Sequence, residues 1–296
     1  MGETGRIWRA ALWMAGALSA LSLMAVAGRE AGRVLSTADL LVWRSVIGCG
    51  VVCMIVGLSP QGYGQLRSGL LHMHLLRNLL HFTGQFCWFT AVLMIPLAQL
   101  FALEFTSPVW VLLLAPLFLA ERFSLKRSVA GLLGFLGVLT VVRPFGVDAG
   151  LALDSGQVWA LAAAISFAGN MLVTKRLSAD ETSLCIIFYM TLMQAPMGIV
   201  ASGGLPALPP DGLIWLWVLA LALCGLVAHF CMAEAFRQAD AAIVAPMDFA
   251  RLPLIAVVGV IFYAEPFDPF VLLGGGLIFI GNYLNIRTTT GLTRSR

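Results

Sequence analysis

Four ionisable residues lie inside long apolar stretches of this 296-residue chain: Glu104, Asp248, Arg44 and Arg251. A charged side chain at the centre of a membrane helix costs about 2.5–3.5 kcal/mol on insertion scales, so such residues usually face a cavity or a partner. Carboxylates can exchange protons, and a guanidinium can hold a carboxylate through two parallel hydrogen bonds. Because the four charges sum to zero, they predict a neutral but dipolar cavity. Such a cavity suits a zwitterion or a polar molecule that bears a carboxylate.

Each of these charges also has a purely structural explanation. Asp248 and Arg251 are three residues apart, so on one helix they share a face and can neutralise one another. Arg44 can anchor its helix by reaching toward the outer membrane interface. Glu104 has no such neighbour, because Ser107 occupies the position that corresponds to Arg251, and it needs a cation, a proton or a ligand. Since burial disfavours the ionised form of a carboxylate, Glu104 and Asp248 are both candidates for proton coupling.

Aromatic residues near these charges could stack on a ring-bearing ligand. Together with the four charges, the predicted substrate contacts are Trp88, Phe105, Tyr189 and Phe249. Ordinary helix packing and interfacial belts also place aromatic side chains at such positions, so both explanations stay open. Arg77, His81 and Gln85 follow one another at four-residue spacing and predict a further polar face on one helix.

The elements that position these residues follow from the composition. The chain is 60% hydrophobic and 11% charged, with a mean hydropathy of +0.92, which leaves too little polar surface for a soluble globule. A helix needs about 20 apolar residues to cross a bilayer. The apolar runs are continuous rather than alternating, which excludes strands. We therefore predict an all-α membrane protein with ten transmembrane helices, near residues 8–27, 37–58, 75–94, 97–119, 127–143, 156–175, 182–203, 213–236, 241–263 and 268–286.

The chain also matches itself at a shift of 144 residues. Ala120-Glu121 corresponds to Ala264-Glu265, since 265 − 121 = 144, and Glu104-Phe105 corresponds to Asp248-Phe249. Five helices per half is an odd number, so the second half must enter the membrane in the opposite direction. This predicts two inverted five-helix repeats, residues 1–145 and 155–290, joined near residues 143–155. Inverted repeats allow two mirror-related conformations, each open to one side of the membrane.

The basic residues predict the orientation of the chain. Thirteen of the 18 lie on the same side as the N-terminus, and Arg44 and Arg251 lie within helices. Only three lie on the opposite side: Arg29, Arg33 and Arg143. This excess predicts that both termini are cytoplasmic, in a bacterial inner membrane. A cleaved secretory signal ending at Ala25-Val26-Ala27 is the alternative for the first stretch, although that stretch has a partner in the second repeat.

Several short motifs resemble those of a known family. They cover essentially the whole chain and include Val42-Trp43-Arg44-Ser45, Arg77-Asn78-Leu79-Leu80, Phe105-Thr106-Ser107-Pro108, Leu119-Ala120-Glu121-Arg122, Val142-Arg143-Pro144, Ala245-Pro246-Met247-Asp248 and Ala264-Glu265-Pro266. With these motifs the chain resembles the ten-helix, EamA-domain branch of the drug/metabolite transporter superfamily. It is similar to the subset with S-adenosylmethionine, riboflavin and organic-anion carriers, in which a small or neutral residue is commoner at the position of Glu104. The resemblance implies a carrier of small metabolites.

The remaining motifs narrow the function. There is no Walker loop, which argues against ATP-driven transport by this chain alone. The six cysteines form no CxxC pair, so we predict no metal site and no cofactor. The expected partners are a small-molecule metabolite, the lipid bilayer and protons, with no nucleic acid, in a monomer or a homodimer. We predict a secondary active transporter that works by alternating access. An intramembrane enzyme acting on a lipid or small acyl substrate is the alternative, although no motif such as H-E-x-x-H supports it.

Overall fold

The computed structural model describes residues 3–119, 125–143, 153–239 and 241–293, and within them the chain forms helices and no strand. The helices are α1 (Glu3–Gly32), α2 (Thr37–Leu58), α3 (Leu71–Val92), α4 (Leu97–Glu104), α5 (Ser107–Leu119), α6 (Leu125–Val142), α7 (Ser155–Leu177), α8 (Ser183–Ser202), α9 (Gly212–Gln238), α10 (Ala241–Asp248), α11 (Arg251–Tyr263) and α12 (Pro269–Thr293). A short 3-10 helix, Gly62–Leu66, lies between α2 and α3.

The prediction of an all-helical membrane protein is confirmed. α1, α2, α7, α8 and α9 are long and apolar enough to cross a membrane, and shorter apolar segments lie in the α4–α5 region, α6, α11 and α12. Two predicted spans, 97–119 and 241–263, are each divided into two helices that are separated by two residues. If each divided span is counted once, the described residues form ten helical spans. Glu121 and most of the predicted hinge lie outside the described residues.

α3 has 22 residues and contains several polar side chains, unlike a helix that faces lipid on all sides. Arg77, Asn78, His81 and Gln85 interrupt its apolar sequence, and all four are buried. A membrane helix carries such residues only where they face other helices or a cavity. α3 is therefore a helix of the bundle interior, with its polar face turned inward.

The helix bounds recur at the spacing found in the sequence. α4 and α5 begin at residues 97 and 107, and α10 and α11 begin at residues 241 and 251, so each pair of starts differs by 144. The ends of α4 and α10 differ by 144 as well, as do those of α5 and α11. The two divided spans thus have the same lengths and the same break.

The bundle is built from pairs of helices that lie along one another. α1 packs against α9, α3 against α7, α2 against α8 and α6 against α12. α6 and α12 approach closely at two glycines: a Cβ on Gly137 would lie 2.6 Å from the Gly274 carbonyl oxygen, and one on Gly274 would lie 2.6 Å from that of Gly137. Small residues allow membrane helices to approach backbone to backbone. These two glycines therefore allow α6 and α12 to pack backbone to backbone.

α4 lies at the centre of the core. Five of its eight residues are buried, and it contacts α3, α6, α7, α11 and α12. Leu97, Leu100 and Phe101 are completely inaccessible. Because α4 is enclosed on so many sides, its last residue, Glu104, lies inside the bundle rather than on its surface.

Candidate functional site

The breaks in the two divided spans position the two predicted carboxylates. Glu104 is the last residue of α4 and Asp248 is the last residue of α10. Pro108 and Pro253 lie in the first turn of the helices that follow, and a proline has no N–H to donate to the carbonyl four residues earlier. In the first span the Glu104 carbonyl accepts a hydrogen bond from Ser107 Oγ instead, at 2.7 Å.

One guanidinium is shared by both carboxylates. Arg251, the first residue of α11, has its Nη2 atom 3.3 Å from Glu104 Oε1 and 3.4 Å from Asp248 Oδ2. Trp88 Nε1, from α3, donates to Glu104 Oε2 at 2.8 Å. The side chain of Arg251 is 5% exposed, whereas those of Glu104 and Asp248 are 20% and 24% exposed. We call Glu104, Asp248, Arg251 and Trp88 the central cluster. It carries one more negative than positive charge.

Aromatic rings enclose the guanidinium of the central cluster. The Arg251 Cζ atom lies 4.7 Å from the centroid of the Phe101 ring and 4.9 Å from that of Phe105. The Phe105 and Phe249 rings stack at 4.5 Å with an interplanar angle of 24°. Rings at this distance attract a guanidinium through their negative faces. The structure thus brings together three of the four aromatic residues predicted for the site, namely Trp88, Phe105 and Phe249.

Hydrogen bonding in the central cluster is incomplete. Asp248 Oδ1 and Arg251 Nε are buried and have no hydrogen-bond partner within the described residues. Leaving such an atom unpaired costs about 1–3 kcal/mol. By contrast, the Phe105 carbonyl at the first break accepts from Asn282 Nδ2 of α12 at 3.1 Å. Asn282 was missed in the sequence, although it is an isolated amide within an apolar stretch.

Two predicted site residues lie away from the central cluster. The Arg44 guanidinium, from α2, rests against Gly225 of α9 and makes no hydrogen bond or ion pair with a described residue. Tyr189, from α8, stacks on His74 at 4.4 Å and donates to the Leu66 carbonyl at 3.1 Å. The zero charge sum over Glu104, Asp248, Arg44 and Arg251 therefore does not describe a single site.

A chain of hydrogen bonds joins α3 to α8. Arg77 Nη1 donates to Asn78 Oδ1 at 3.1 Å, and Arg77 Nε donates to Thr174 Oγ1 at 3.1 Å. Gln194 Nε2 lies 3.5 Å from the same Asn78 oxygen and 2.8 Å from His81 Nδ1. Gln194 thus links α8 to α3 through its side-chain amide. No carboxylate takes part in this chain of contacts.

One group of side chains could converge on a metal ion within the described part of the chain. His74, Glu181 and Cys185 each offer a ligand atom, and these atoms lie within 4.8 Å of one another. His74 Nε2 is 3.9 Å from Glu181 Oε1, and Ser68 Oγ donates to the same oxygen at 2.5 Å. The group lies where α3 and α8 begin, away from the central cluster. The sequence-based expectation of no metal site remains a prediction.

Ion pairs close the end of the bundle at which α3 and α11 end. Arg29 pairs with Glu265 and donates to the carbonyl oxygens of Val92 at 2.7 Å and Ile95 at 2.6 Å. The Leu97 backbone N–H donates to the same carboxylate, with its nitrogen 2.9 and 3.2 Å from the two oxygens. Glu265 borders two cavities, of about 170 and 330 Å³. We call these contacts, together with the ion pair of Arg143 and Asp268, the closed end.

The two divided spans pack differently despite their equal lengths. α4 packs against α11, next to the closed end. Their repeat counterparts, α10 and α5, have few or no contacts with each other among the described residues, and α5 packs mainly against α7. Within the described part of the chain, α4 and α11 are therefore in closer contact than α5 and α10.

Comparisons with known proteins agree with this architecture. A riboflavin transporter from Brucella anthropi is 30% identical over 293 residues, covering 95% of this chain and all of the relative. A pseudopaline exporter, CntI, from Pseudomonas aeruginosa is 29% identical over 272 residues, covering 91% of this chain and 93% of the relative. An S-adenosylmethionine uptake transporter from Rickettsia bellii is 26% identical over 220 residues, covering 73% of each chain.

The fold is similar to that of a protein with a solved crystal structure. The TM-score is 0.62 at 20% identity, over 96% of this chain and 98% of the other. The model of one transporter family matches the chain twice, at residues 8–143 and 154–287. Because these two segments include nearly the whole chain, the protein belongs to the EamA-like transporter family and is an integral membrane protein.

Proposed function

We propose that this protein is a secondary carrier that moves a small polar metabolite across the bacterial inner membrane by alternating access. The observation that carries the proposal is the central cluster. In it, two carboxylates share one guanidinium at the breaks of two helical spans that have the same length and are broken at the same point. Broken helices at mid-membrane are typical binding sites of secondary transporters. The three relatives named above are transporters of small molecules, and all are bacterial.

We propose two inverted repeats, residues 1–145 and 155–290, with both termini in the cytoplasm. The excess of basic residues on the side of the N-terminus supports this orientation. The recurrence of the helix bounds at 144 residues supports the repeats. In this arrangement α4 and α11 form the outer half of the two divided spans, and α5 and α10 form the inner half.

The difference in packing between these halves supports a conformation that is closed toward the outside. α4 and α11 are in contact, and the ion pairs of the closed end join the outer ends of several helices. Among the described residues α5 and α10, on the inner side, make few or no contacts with each other. Opening to the outside requires that Arg29 release Glu265 and that α4 and α11 separate. The mirror-related movement would bring α5 and α10 together.

The excess negative charge of the central cluster supports proton coupling. A proton on Glu104 or Asp248 would make the cluster neutral. Protonation would also release Arg251 from one of its two partners, freeing a guanidinium fork for a carboxylate-bearing or zwitterionic substrate. The stacked rings of Phe105 and Phe249 offer flat apolar surface beside it. S-adenosylmethionine has both a carboxylate for the guanidinium and a ring for the aromatic surface, whereas riboflavin has only the ring. These two substrates of the relatives are the first compounds to assay.

Uptake into sealed proteoliposomes tests this function. Wild-type protein should move at least one member of a panel of riboflavin, S-adenosylmethionine, amino acids and nucleosides, with a rate that depends on the pH gradient. Glu104→Gln and Arg251→Ala should each lower the rate at least tenfold without loss of membrane insertion. Arg237→Ala is a matched control, since it removes an exposed guanidinium that pairs with Glu234. Wild-type rates from both cluster variants would refute the proposed site.

A further inference from the structure

We propose that Arg44 and the cavity beside it form a second binding site, which takes a compact monoanion. The site is separate from the central cluster and lies between α2, α8 and α9. The assignment rests on the proposed function in one respect, namely that one source of the anion is the carboxylate of a transported metabolite. The other source is a small inorganic anion such as chloride. Both sources would offer a single negative charge that accepts hydrogen bonds.

The first observation is an unpaired buried charge. Arg44 is 7% exposed, and its Nε atom is buried without a hydrogen-bond partner. Within the described residues no carboxylate pairs with its guanidinium. The two other buried arginines with carboxylate partners show the usual arrangement: Arg29 pairs with Glu265, and Arg251 pairs with Glu104 and Asp248. An arginine cannot lose its charge in a protein, so Arg44 has a charge that no described residue compensates.

The second observation is that Gly225 of α9 leaves room for the Arg44 guanidinium. A Cβ atom built on Gly225 would lie 3.2 Å from Arg44 Nη2 and 3.6 Å from Arg44 Nε. The Met24 sulfur would lie 3.7 Å from the same Cβ. The absence of a side chain at residue 225 therefore lets the guanidinium lie close to the backbone of α9. Arg44 is held between α2 and α9.

The third observation is the cavity itself, of about 10 Å³, which is room for one water-sized group. Apart from Arg44, its polar lining consists of hydroxyl, amide and imidazole groups, from Ser45, Thr191, Gln194 and His229. The Thr191 hydroxyl already donates to the Ile187 or Phe188 carbonyl, and Gln194 Nε2 already contacts Asn78 and His81. The donors left for an anion beside Arg44 are the Ser45 hydroxyl and the His229 imidazole, and no carboxylate lines the cavity. Gln194 also connects the cavity to the hydrogen-bonded chain that contains Arg77.

These observations favour an anion over water alone. A water molecule can accept a hydrogen bond from Arg44 but does not neutralise its charge. Arg77 is a second buried guanidinium with hydroxyl and amide partners only, so the local charge is positive. The small volume limits the occupant to a single atom such as chloride or to one oxygen of a carboxylate, unless the helices move apart.

Thermal unfolding of the full-length protein in nanodiscs tests the site. Chloride or acetate is titrated against gluconate at constant ionic strength. We expect a saturable rise in Tm for the wild type with at least one of the two anions. Arg44→Gln should abolish the rise, and Arg44→Lys and Gly225→Ala should each raise the half-saturating concentration at least threefold. Arg33→Gln should leave the titration unchanged, because Arg33 is exposed and pairs with Glu30.

The outcomes separate the two sources of the anion and the two proposals. A response to chloride alone identifies an inorganic ion, a response to acetate alone identifies the substrate carboxylate, and a response to both supports the shared chemistry. No saturable response, or the same response in the Arg44 and Gly225 variants, overturns the site. If Arg44→Gln does not fold, the half-saturating concentrations of Arg44→Lys and Gly225→Ala test the site instead. Protein that binds the anion but moves no solute in proteoliposomes would refute the carrier and leave this site intact.

Discussion

Arg251 and Arg44 are both buried guanidiniums inside helical spans, yet their surroundings differ. Arg251 lies between two carboxylates and beneath two aromatic rings, whereas Arg44 lies against Gly225 with no carboxylate partner among the described residues. Burial alone therefore does not define the role of a membrane arginine. The charge of the first is balanced by carboxylates of the protein itself. The second retains a charge that a ligand can neutralise.

The free energy of unfolding should show the largest difference between variants at Arg251 and variants at Arg44. Arg251→Gln leaves Glu104 and Asp248 close together without a cation, and breaking a buried ion pair costs about 3–5 kcal/mol. Arg44→Gln removes an uncompensated charge, so its free energy of unfolding in gluconate buffer should be equal to or higher than that of the wild type. Denaturant unfolding of both variants in the same detergent gives the comparison. Equal losses in the two variants would show that Arg44 has a hidden partner and would remove the contrast.

The hydrogen bond from Trp88 to Glu104 provides a second test, within the central cluster. A double-mutant cycle with Trp88→Phe and Glu104→Gln should give a coupling energy of about 1.5–3 kcal/mol, the range for hydrogen bonds to charged groups. Trp43→Phe is the matched control, because Trp43 donates instead to the Ala207 carbonyl. Its effect should add to that of Glu104→Gln. Additivity for Trp88 would mean that the indole does not position this carboxylate.

The closed end should give the smallest effect. Glu265→Gln weakens the contacts with Arg29 and the Leu97 N–H but keeps an acceptor oxygen for them. The difference between a charged and a neutral hydrogen bond is about 1 kcal/mol, which would raise the outward-open population roughly fivefold. Labelling of Gln99→Cys in a cysteine-free background, by an impermeant maleimide added outside, reports this opening because Gln99 lines the 170 Å³ cavity. Asp180→Asn, at an exposed pair with Arg176 far from the closed end, is the control. An unchanged labelling rate would show that these ion pairs do not hold the outer side closed.

Much of the fold could be predicted because continuous apolar runs define membrane helices directly. The predicted stretch 37–58 has the same bounds as α2. The breaks after Glu104 and Asp248 were not predicted, since the runs 97–119 and 241–263 remain apolar through them. Hydropathy does not report a lost backbone hydrogen bond. The available signals were Pro108 and Pro253, which lie in the first turn of α5 and of α11.

The site could be predicted only in part, for a geometric reason. Position along an apolar run gives the depth of a residue in the membrane, and the repeat relates residues such as Phe105 and Phe249. Neither gives the direction around the bundle in which a side chain points. Arg44 and Tyr189 were therefore grouped with the central cluster, although their helices turn them toward other neighbours. Which helix faces meet depends on packing between distant segments, such as α1 with α9.

The central claim is that the cluster of Glu104, Asp248 and Arg251 lies on the path of a transported solute. The most direct test is the initial rate of solute uptake by Arg251→Ala in proteoliposomes, at the same protein density as the wild type. We predict less than a tenth of the wild-type rate, with the variant still inserted and monodisperse. A rate equal to that of the wild type would contradict the account, because the shared guanidinium would then have no part in transport.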